Sequence, residues 1–225
     1  MQLRSITKAF VCCALALCTV HCDLANAESD ATRYRIVAGK SELRILVFRT
    51  GSLARFGHNH VVSTSDLSGT VVAGGSAADG EIDLNIPVAS FIVDDPDVRA
   101  EEGQAFSAEL SEEDINRTRD NMMGRKLLQA REFEEIKVFS DRISGEFPDI
   151  TIHALITVKG SQHPVELPAI VEIHDDRLLA SGATDLSHSQ LGLSPFRTAF
   201  GTLRVAEKMT FRYRVVARKT DDDDQ

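Results

Sequence analysis

The chain has 225 residues, with 34 acidic and 25 basic side chains and a formal charge of −9 at neutral pH. This acidic balance disfavours nucleic acids and anionic lipid surfaces as partners, because both carry negative charge. All four cysteines (Cys12, Cys13, Cys18 and Cys22) lie near the N-terminus. The rest of the sequence has no cysteine, so it can form no disulfide, thiol nucleophile or thiolate metal site.

The first 27 residues have the pattern of a secretory signal peptide. Arg4 and Lys8 precede an apolar run over residues 9–20, and Ala25-Asn26-Ala27 forms a small-x-small cleavage site. The run is shorter than the ~20 residues that span a bilayer. We therefore expect cleavage after Ala27, a periplasmic product and no stable membrane insertion. Attachment of a lipid to Cys22 is the alternative, but the residues before it fit such a signal poorly.

Residues 33–218 are predicted to form one domain, because no repeat or flexible linker divides them. Alternating apolar and polar residues predict β-strands along most of this domain. Such runs begin at Leu43, cover 82–88, begin again at Ile136, and cover 150–158 and 209–215. Many short strands joined by turns favour a barrel or a sandwich.

One segment departs from the strand pattern. Ser111 and Asp114 resemble a capping box, and apolar residues then recur at helical spacing. We predict a single helix over about 112–129. Before it, the acidic cluster of residues 94–97 lacks the spacing of a calcium-binding loop and is interpreted as solvated. It begins a polar stretch through Gln104 that is predicted to be a long loop leading into the helix. Residues 219–225 are predicted to be an acidic, disordered tail.

Common catalytic motifs are absent, including those of hydrolases, zinc proteases and nucleotide-binding loops. His58 and His60 form the one candidate metal site, because residues two apart on a strand point to the same side. A metal site would need at least one further ligand. That ligand would come from one of the other histidines: His153, His163, His174 or His188. The alternative interpretation is a polar histidine pair at a turn or barrel mouth.

Three segments carry a family resemblance. Residues 129–140 place Phe133 between a helix and a strand, residues 156–168 contain a hairpin with Gly160 and Pro164-Val165, and residues 185–196 follow it. Together they resemble the YceI-like family of bacterial periplasmic proteins. The resemblance implies a mainly β fold, namely a lipocalin-like antiparallel barrel of about eight strands with one inserted helix.

The resemblance also implies a non-enzymatic protein that needs no cofactor and holds an isoprenoid or lipid-like chain. Combined with the alternating strands and the spread of phenylalanines, it predicts a set of ligand-contacting side chains. These are Phe48, Phe91, Phe133, Ala154, Ile156, Val158, Phe196, Phe211 and Tyr213. Two functions thus remain, a periplasmic carrier of an apolar ligand and a metal-binding protein built on His58 and His60. The oligomeric state, including a homodimer, stays open.

Overall fold

The structure is a computed structural model that describes residues 31–198 and 202–220. The predicted signal peptide and residues 221–225 of the predicted tail lie outside the described residues. The prediction of disorder is wrong for the first two tail residues, because Lys219 pairs with Tyr34 and the Thr220 N–H donates to the Arg33 carbonyl at 3.0 Å. The strands are β1 (Thr32–Ile36), β2 (Glu42–Thr50), β3 (His60–Thr64), β4 (Ser68–Ala73), β5 (Glu81–Pro87), β6 (Ile92–Val93), β7 (Glu135–Glu146), β8 (Asp149–Val158), β9 (Ser161–His174), β10 (Arg177–Ser187), β11 (Arg197–Thr198) and β12 (Leu203–Lys219).

Two α-helices, α1 (Pro96–Glu101) and α2 (Glu112–Met123), lie between β6 and β7. Short 3₁₀ helices cover Ala54–Phe56, Ala77–Asp79, Val88–Ser90, Gln104–Phe106 and Ser189–Leu191. Among the helices of the described ranges, none combines the length and hydrophobicity needed to cross a membrane.

Eight antiparallel strands close into a barrel in the order β1, β4, β5, β7, β8, β9, β10, β12, with β12 pairing again with β1. Along the edge opposite β10, strand β12 pairs with two strands in succession. Its C-terminal end pairs with β1, where Ile36 lies opposite Ala217, and the rest pairs with β2, where Leu43 lies opposite Tyr213. Strands β2, β3 and β6 thus extend the wall at the end of the barrel where β12 begins.

Strand β8 shows how the sequence directs the wall. Ile150, Ile152, Ala154, Ile156 and Val158 are buried, whereas the residues between them are partly exposed. A strand turns successive side chains to opposite faces, so this alternation places one apolar face inside the barrel. The predicted mainly β barrel with an inserted helix is confirmed.

Helix α2 begins where the sequence predicts and ends earlier. The Ser111 hydroxyl accepts a hydrogen bond from the backbone N–H of Asp114 at 3.2 Å, and thereby caps the first turn. Gly124 then adopts an extended conformation with φ −71° and ψ 171°. The chain folds back so that the Leu128 N–H donates to the Met122 carbonyl at 3.0 Å. The predicted extension to residue 129 is therefore wrong by six residues.

The interpretation of residues 94–97 as a solvated cluster that begins a long loop is also wrong, because Asp94 is buried and Pro96–Glu101 form helix α1. Asp95 caps helix α1 by accepting hydrogen bonds from the backbone N–H groups of Asp97 and Val98. Beyond α1, Phe106 is 3% exposed and packs with Leu46 on the outer face of β2. The acidic segment therefore forms a small outer layer against the barrel wall.

Ion pairs hold this outer layer in place. The Glu102 side chain is 1% exposed and lies between Arg44 at 3.2 Å and Arg212 at 2.5 Å, which are opposed residues on β2 and β12. Hydrogen bonding to Glu42, and then to Glu101 and Glu102, raises the pKa of Arg44 further above its usual value. Helix α1 is thereby attached to the outside of two barrel strands.

Candidate functional site

A cavity of about 810 Å³ extends along the interior of the barrel. Its volume lies within the ~300–1,000 Å³ range of small-molecule pockets. The inward side chains of several strands form its wall. They include Ile82, Leu84 and Ile86 of β5, Ile150, Ile152, Ile156 and Val158 of β8, and Met209, Phe211, Tyr213 and Val215 of β12.

One end of the cavity is apolar. Its lining includes Ile36 at the end of β1, Ile143 near the β7–β8 turn, and Leu178 at the start of β10. Register places these residues near the C-terminal end of β12, because both Ile36 and Leu178 lie opposite Ala217. We call this the apolar end.

The opposite end, where β12 begins and β10 finishes, carries polar groups. We call it the polar end. Helix α2 lies beside it, and Arg119 anchors the helix by donating to the Phe91 carbonyl at 2.6 Å. Apart from Tyr213, the polar side chains that border the cavity come from this end. In the described ranges they are Arg49, His58, His60, Asp114, Arg117, Thr118, Asn121, Lys126, His188, Ser194, Arg197 and Arg204.

A chain of charged groups orients His60 at the polar end. The Asp94 carboxylate is fully buried and accepts from His60 Nδ1 at 2.6 Å, from the Val61 N–H at 2.9 Å and from Arg99 Nη1 at 2.5 Å. Arg99 is itself nearly buried and donates to the carbonyls of Asn59 and Phe106. The outer layer therefore reaches through the wall and fixes a histidine that borders the cavity.

His188 is a second histidine fixed by its Nδ1 atom. It is 3% exposed and borders the cavity just beyond β10, and its Nδ1 lies 3.0 Å from the Glu207 carbonyl oxygen. The Glu207 carboxylate accepts from the Ser189 N–H at 2.9 Å, and this hydrogen bond lowers the pKa of Glu207. Backbone and side chain of Glu207 together hold the turn that carries His188.

Most of the predicted ligand-contacting residues border the cavity. Phe91, Ile156, Val158, Phe196, Phe211 and Tyr213 lie along its wall or mouth. Phe48 also borders it, but the Phe48 ring packs against Phe106 in the outer layer, with 5.6 Å between ring centroids.

Two predicted residues fall outside this lining among the described residues. Ala154 faces inward, but its side chain is a single methyl group buried by larger neighbours at 2% exposure. Phe133 precedes β7 and lies on the outside of the barrel near Gly160, in a shallow pocket with Glu132 and Lys137. The phenylalanine that marks the resemblance therefore packs under a hairpin and not along the cavity.

The alternative prediction was a metal site built on His58 and His60. His58 and His60 both border the cavity, but His60 is engaged by Asp94. In the part of the chain that the structure describes, no group of three or more histidine, cysteine, aspartate or glutamate side chains is placed to hold a metal ion. The sequence also marked out no acidic partner for His60, whereas the structure pairs this histidine with Asp94.

The comparisons with known proteins place this barrel among similar folds. A family model described as the YceI-like domain matches residues 34–217. A crystal structure of Burkholderia cenocepacia BcnA aligns with a TM-score of 0.58 and 16% identity, covering 80% of this chain and 98% of that one. A crystal structure of a Campylobacter jejuni YCEI protein aligns at 0.52 with 10% identity, covering 71% and 85%. A search of curated proteins finds no match.

Proposed function

The chain belongs to the YceI-like domain family, and from this premise we propose that it binds a long apolar or amphiphilic molecule inside its barrel. The YceI-like barrel is known as a lipid- and isoprenoid-binding fold. The observation that carries the proposal is the cavity of about 810 Å³, which is apolar along most of its length and polar at one end. An amphiphile with one long tail matches this distribution.

The energetics favour a long tail over a small ligand. Each methylene group that leaves water for the cavity contributes about 0.8 kcal/mol. Association costs at least about 4 kcal/mol in lost translational and rotational freedom. A ligand with only a few carbon atoms cannot offset that cost by burial, whereas an isoprenoid or long acyl chain can. The tail is proposed to lie towards the apolar end, beside Ile143 and Leu178.

The proposed role is that of a binding or carrier protein, not of an enzyme. The family's barrel is a binding-protein fold, which supports this role. The periplasm is the proposed location, because the signal-peptide pattern of residues 1–27 indicates export. The ligand would be held by non-covalent contacts, with no cofactor involved.

Native mass spectrometry and organic extraction of the purified protein test the proposal. We expect a hydrophobic molecule bound at about one per chain, which extraction removes and which the emptied protein takes up again. Displacement of 1-aminoanthracene by hexadecanol measures that uptake. An empty extract together with no displacement by long-chain compounds would contradict the proposed function.

A further inference from the structure

His60 and His188 each use one ring nitrogen to bind the protein, and both residues border the cavity. A carboxylate and a backbone carbonyl are acceptors only, so the Nδ1 atoms facing Asp94 and the Glu207 carbonyl carry the hydrogens. In a neutral imidazole with its hydrogen on Nδ1, Nε2 is a hydrogen-bond acceptor. The neutral form of each ring therefore accepts at Nε2.

The Nε2 atoms remain available to a ligand. Among the described residues, the hydrogen bonds of the two rings run through Nδ1, and no buried side-chain nitrogen or oxygen lacks a partner. Each Nε2 atom is therefore accessible, and both residues border the cavity. An acceptor in an apolar cavity favours a ligand that supplies a donor, since an unpaired polar group loses free energy on desolvation.

Strand register places both acceptors at the polar end. His60 lies opposite Val47, Val47 lies opposite Met209, and Met209 lies opposite Leu186. These four residues form one row across β3, β2, β12 and β10, and His188 follows Leu186 by two residues beyond the end of β10. The two histidines therefore border the same end of the cavity from different sides.

We propose that this end selects a head group that carries a hydroxyl, with His60 and His188 accepting hydrogen bonds from it. The inference rests on the proposed function and names the ligand class, namely a long-chain alcohol or phenol. Asp94 and Arg99 act as positioning residues, because they hold the His60 ring without bordering the cavity themselves.

An anionic head group is the competing ligand, since arginines also border the polar end. Two of them already have acceptors within the protein. Arg49 donates to the Gly57 carbonyl, and Arg117 pairs with Glu113 at 2.6 Å and with Asp114 at 3.6 Å. The fully buried Asp94 also places negative charge next to His60. Lys126, Arg197 and Arg204 border the same end, so the comparison of hexadecanol with hexadecanoate decides between a hydroxyl and an anionic head group.

Three ligands with the same chain separate these possibilities: hexadecanol, hexadecyl methyl ether and hexadecanoate. Their dissociation constants are measured by displacement of 1-aminoanthracene from the wild type, from the His60→Asn and His188→Asn variants, and from the variant that combines both substitutions. The asparagine amide keeps a donor near the position of Nδ1 and removes the acceptor at Nε2. His60→Gln is the matched variant, because its amide oxygen can replace the acceptor near the position of Nε2.

The wild type is expected to bind hexadecanol about tenfold more tightly than the ether, as one hydrogen bond predicts. This preference should fall to about twofold or less in the double asparagine variant and persist in part in His60→Gln. Equal binding of alcohol and ether by the wild type, or tighter binding of hexadecanoate, overturns the inference and leaves the proposed function standing. That wild-type comparison decides the matter even where an asparagine variant fails to fold. Failure of all three ligands to bind contradicts the proposed function itself.

Discussion

The ring of Tyr213 lies against Gly182, the residue directly opposite it on β10. A methyl group at Gly182 would lie 2.6 Å from Tyr213 Cε2 and 2.1 Å from the Pro168 carbonyl oxygen. The Tyr213 hydroxyl donates to that same carbonyl at 2.5 Å. The Tyr213 side chain thus reaches from β12 across β10 to β9. It borders the cavity, and its hydroxyl is hydrogen-bonded to the barrel wall.

Even a methyl group added at Gly182 should therefore disturb the barrel wall. Gly182→Ala is expected to lower the free energy of unfolding by about 1–3 kcal/mol, because the added methyl group overlaps both a ring and a backbone carbonyl. Urea denaturation followed by circular dichroism measures the change. Gly75→Ala is the matched control, since a methyl group there meets no atom within 4 Å. Equal stability of the two variants would show that the wall adapts freely at Gly182.

Tyr213 should also give the protein a specific sensitivity to alkaline pH. Burial raises the pKa of the Tyr213 phenol above its ordinary value of 10.0. The folded state therefore holds the phenol proton more tightly than the unfolded state does. This contribution is fully present below about pH 10 and is lost as the pH rises further towards the folded-state pKa.

Tyr213→Phe removes that contribution, so its free energy of unfolding should fall less steeply than that of the wild type between about pH 9.5 and pH 11. Urea denaturation at several pH values measures both slopes. The difference between the two proteins isolates Tyr213 from the other titrating groups. Parallel slopes would mean that the phenol titrates alike in both states.

The barrel wall could be predicted from the sequence because its signal is local. The alternation from Ile150 to Val158 determines which face of β8 is buried, and the structure confirms that strand. The inward direction of His188 follows the same rule, since it lies two residues beyond buried Leu186. Its tautomer could not be predicted, because the partner carbonyl belongs to Glu207, 19 residues away.

The pairing of His60 with Asp94 shows where sequence reasoning fails. The two residues are 34 positions apart, and Asp94 adopts a positive φ of 57° that turns its carboxylate into the wall. In the sequence it is one member of an acidic cluster with Asp95 and Asp97. One signal in that cluster was readable, because Asp95 followed by Pro96 is a common start of a helix.

Removal of the Asp94 charge should destabilise the fold strongly. Asp94→Asn leaves the nearly buried Arg99 guanidinium without its carboxylate, and loss of one partner of a buried ion pair costs about 3–5 kcal/mol. Asp97→Asn is the matched control, because Asp97 is exposed in the first turn of α1, the helix that carries Arg99. Its removal should change the free energy of unfolding by only about 0.3–1 kcal/mol. Thermal and urea denaturation measure both variants, and similar losses would contradict the role given to Asp94.

The cavity itself can be tested by filling it from one wall. Val158 borders the cavity and is 4% exposed, whereas the adjacent Thr157 side chain points to the outer face of β8. A tryptophan at position 158 should occupy space that a ligand would otherwise fill. Val158→Trp is therefore expected to weaken 1-aminoanthracene binding about tenfold or more, or about 1.4 kcal/mol. Thr157→Trp should leave the affinity nearly unchanged.

The chain contains no natural tryptophan, so each variant carries its own reporter of the environment at the substituted position. Emission from position 158 should occur at shorter wavelength than emission from position 157, because the cavity wall is apolar and the outer face meets water. Circular dichroism checks that both variants keep the β signature. Emission at short wavelength from a folded Val158→Trp variant would show that the tryptophan lies inside the cavity. If ligand uptake is then undiminished, the ligand binds elsewhere.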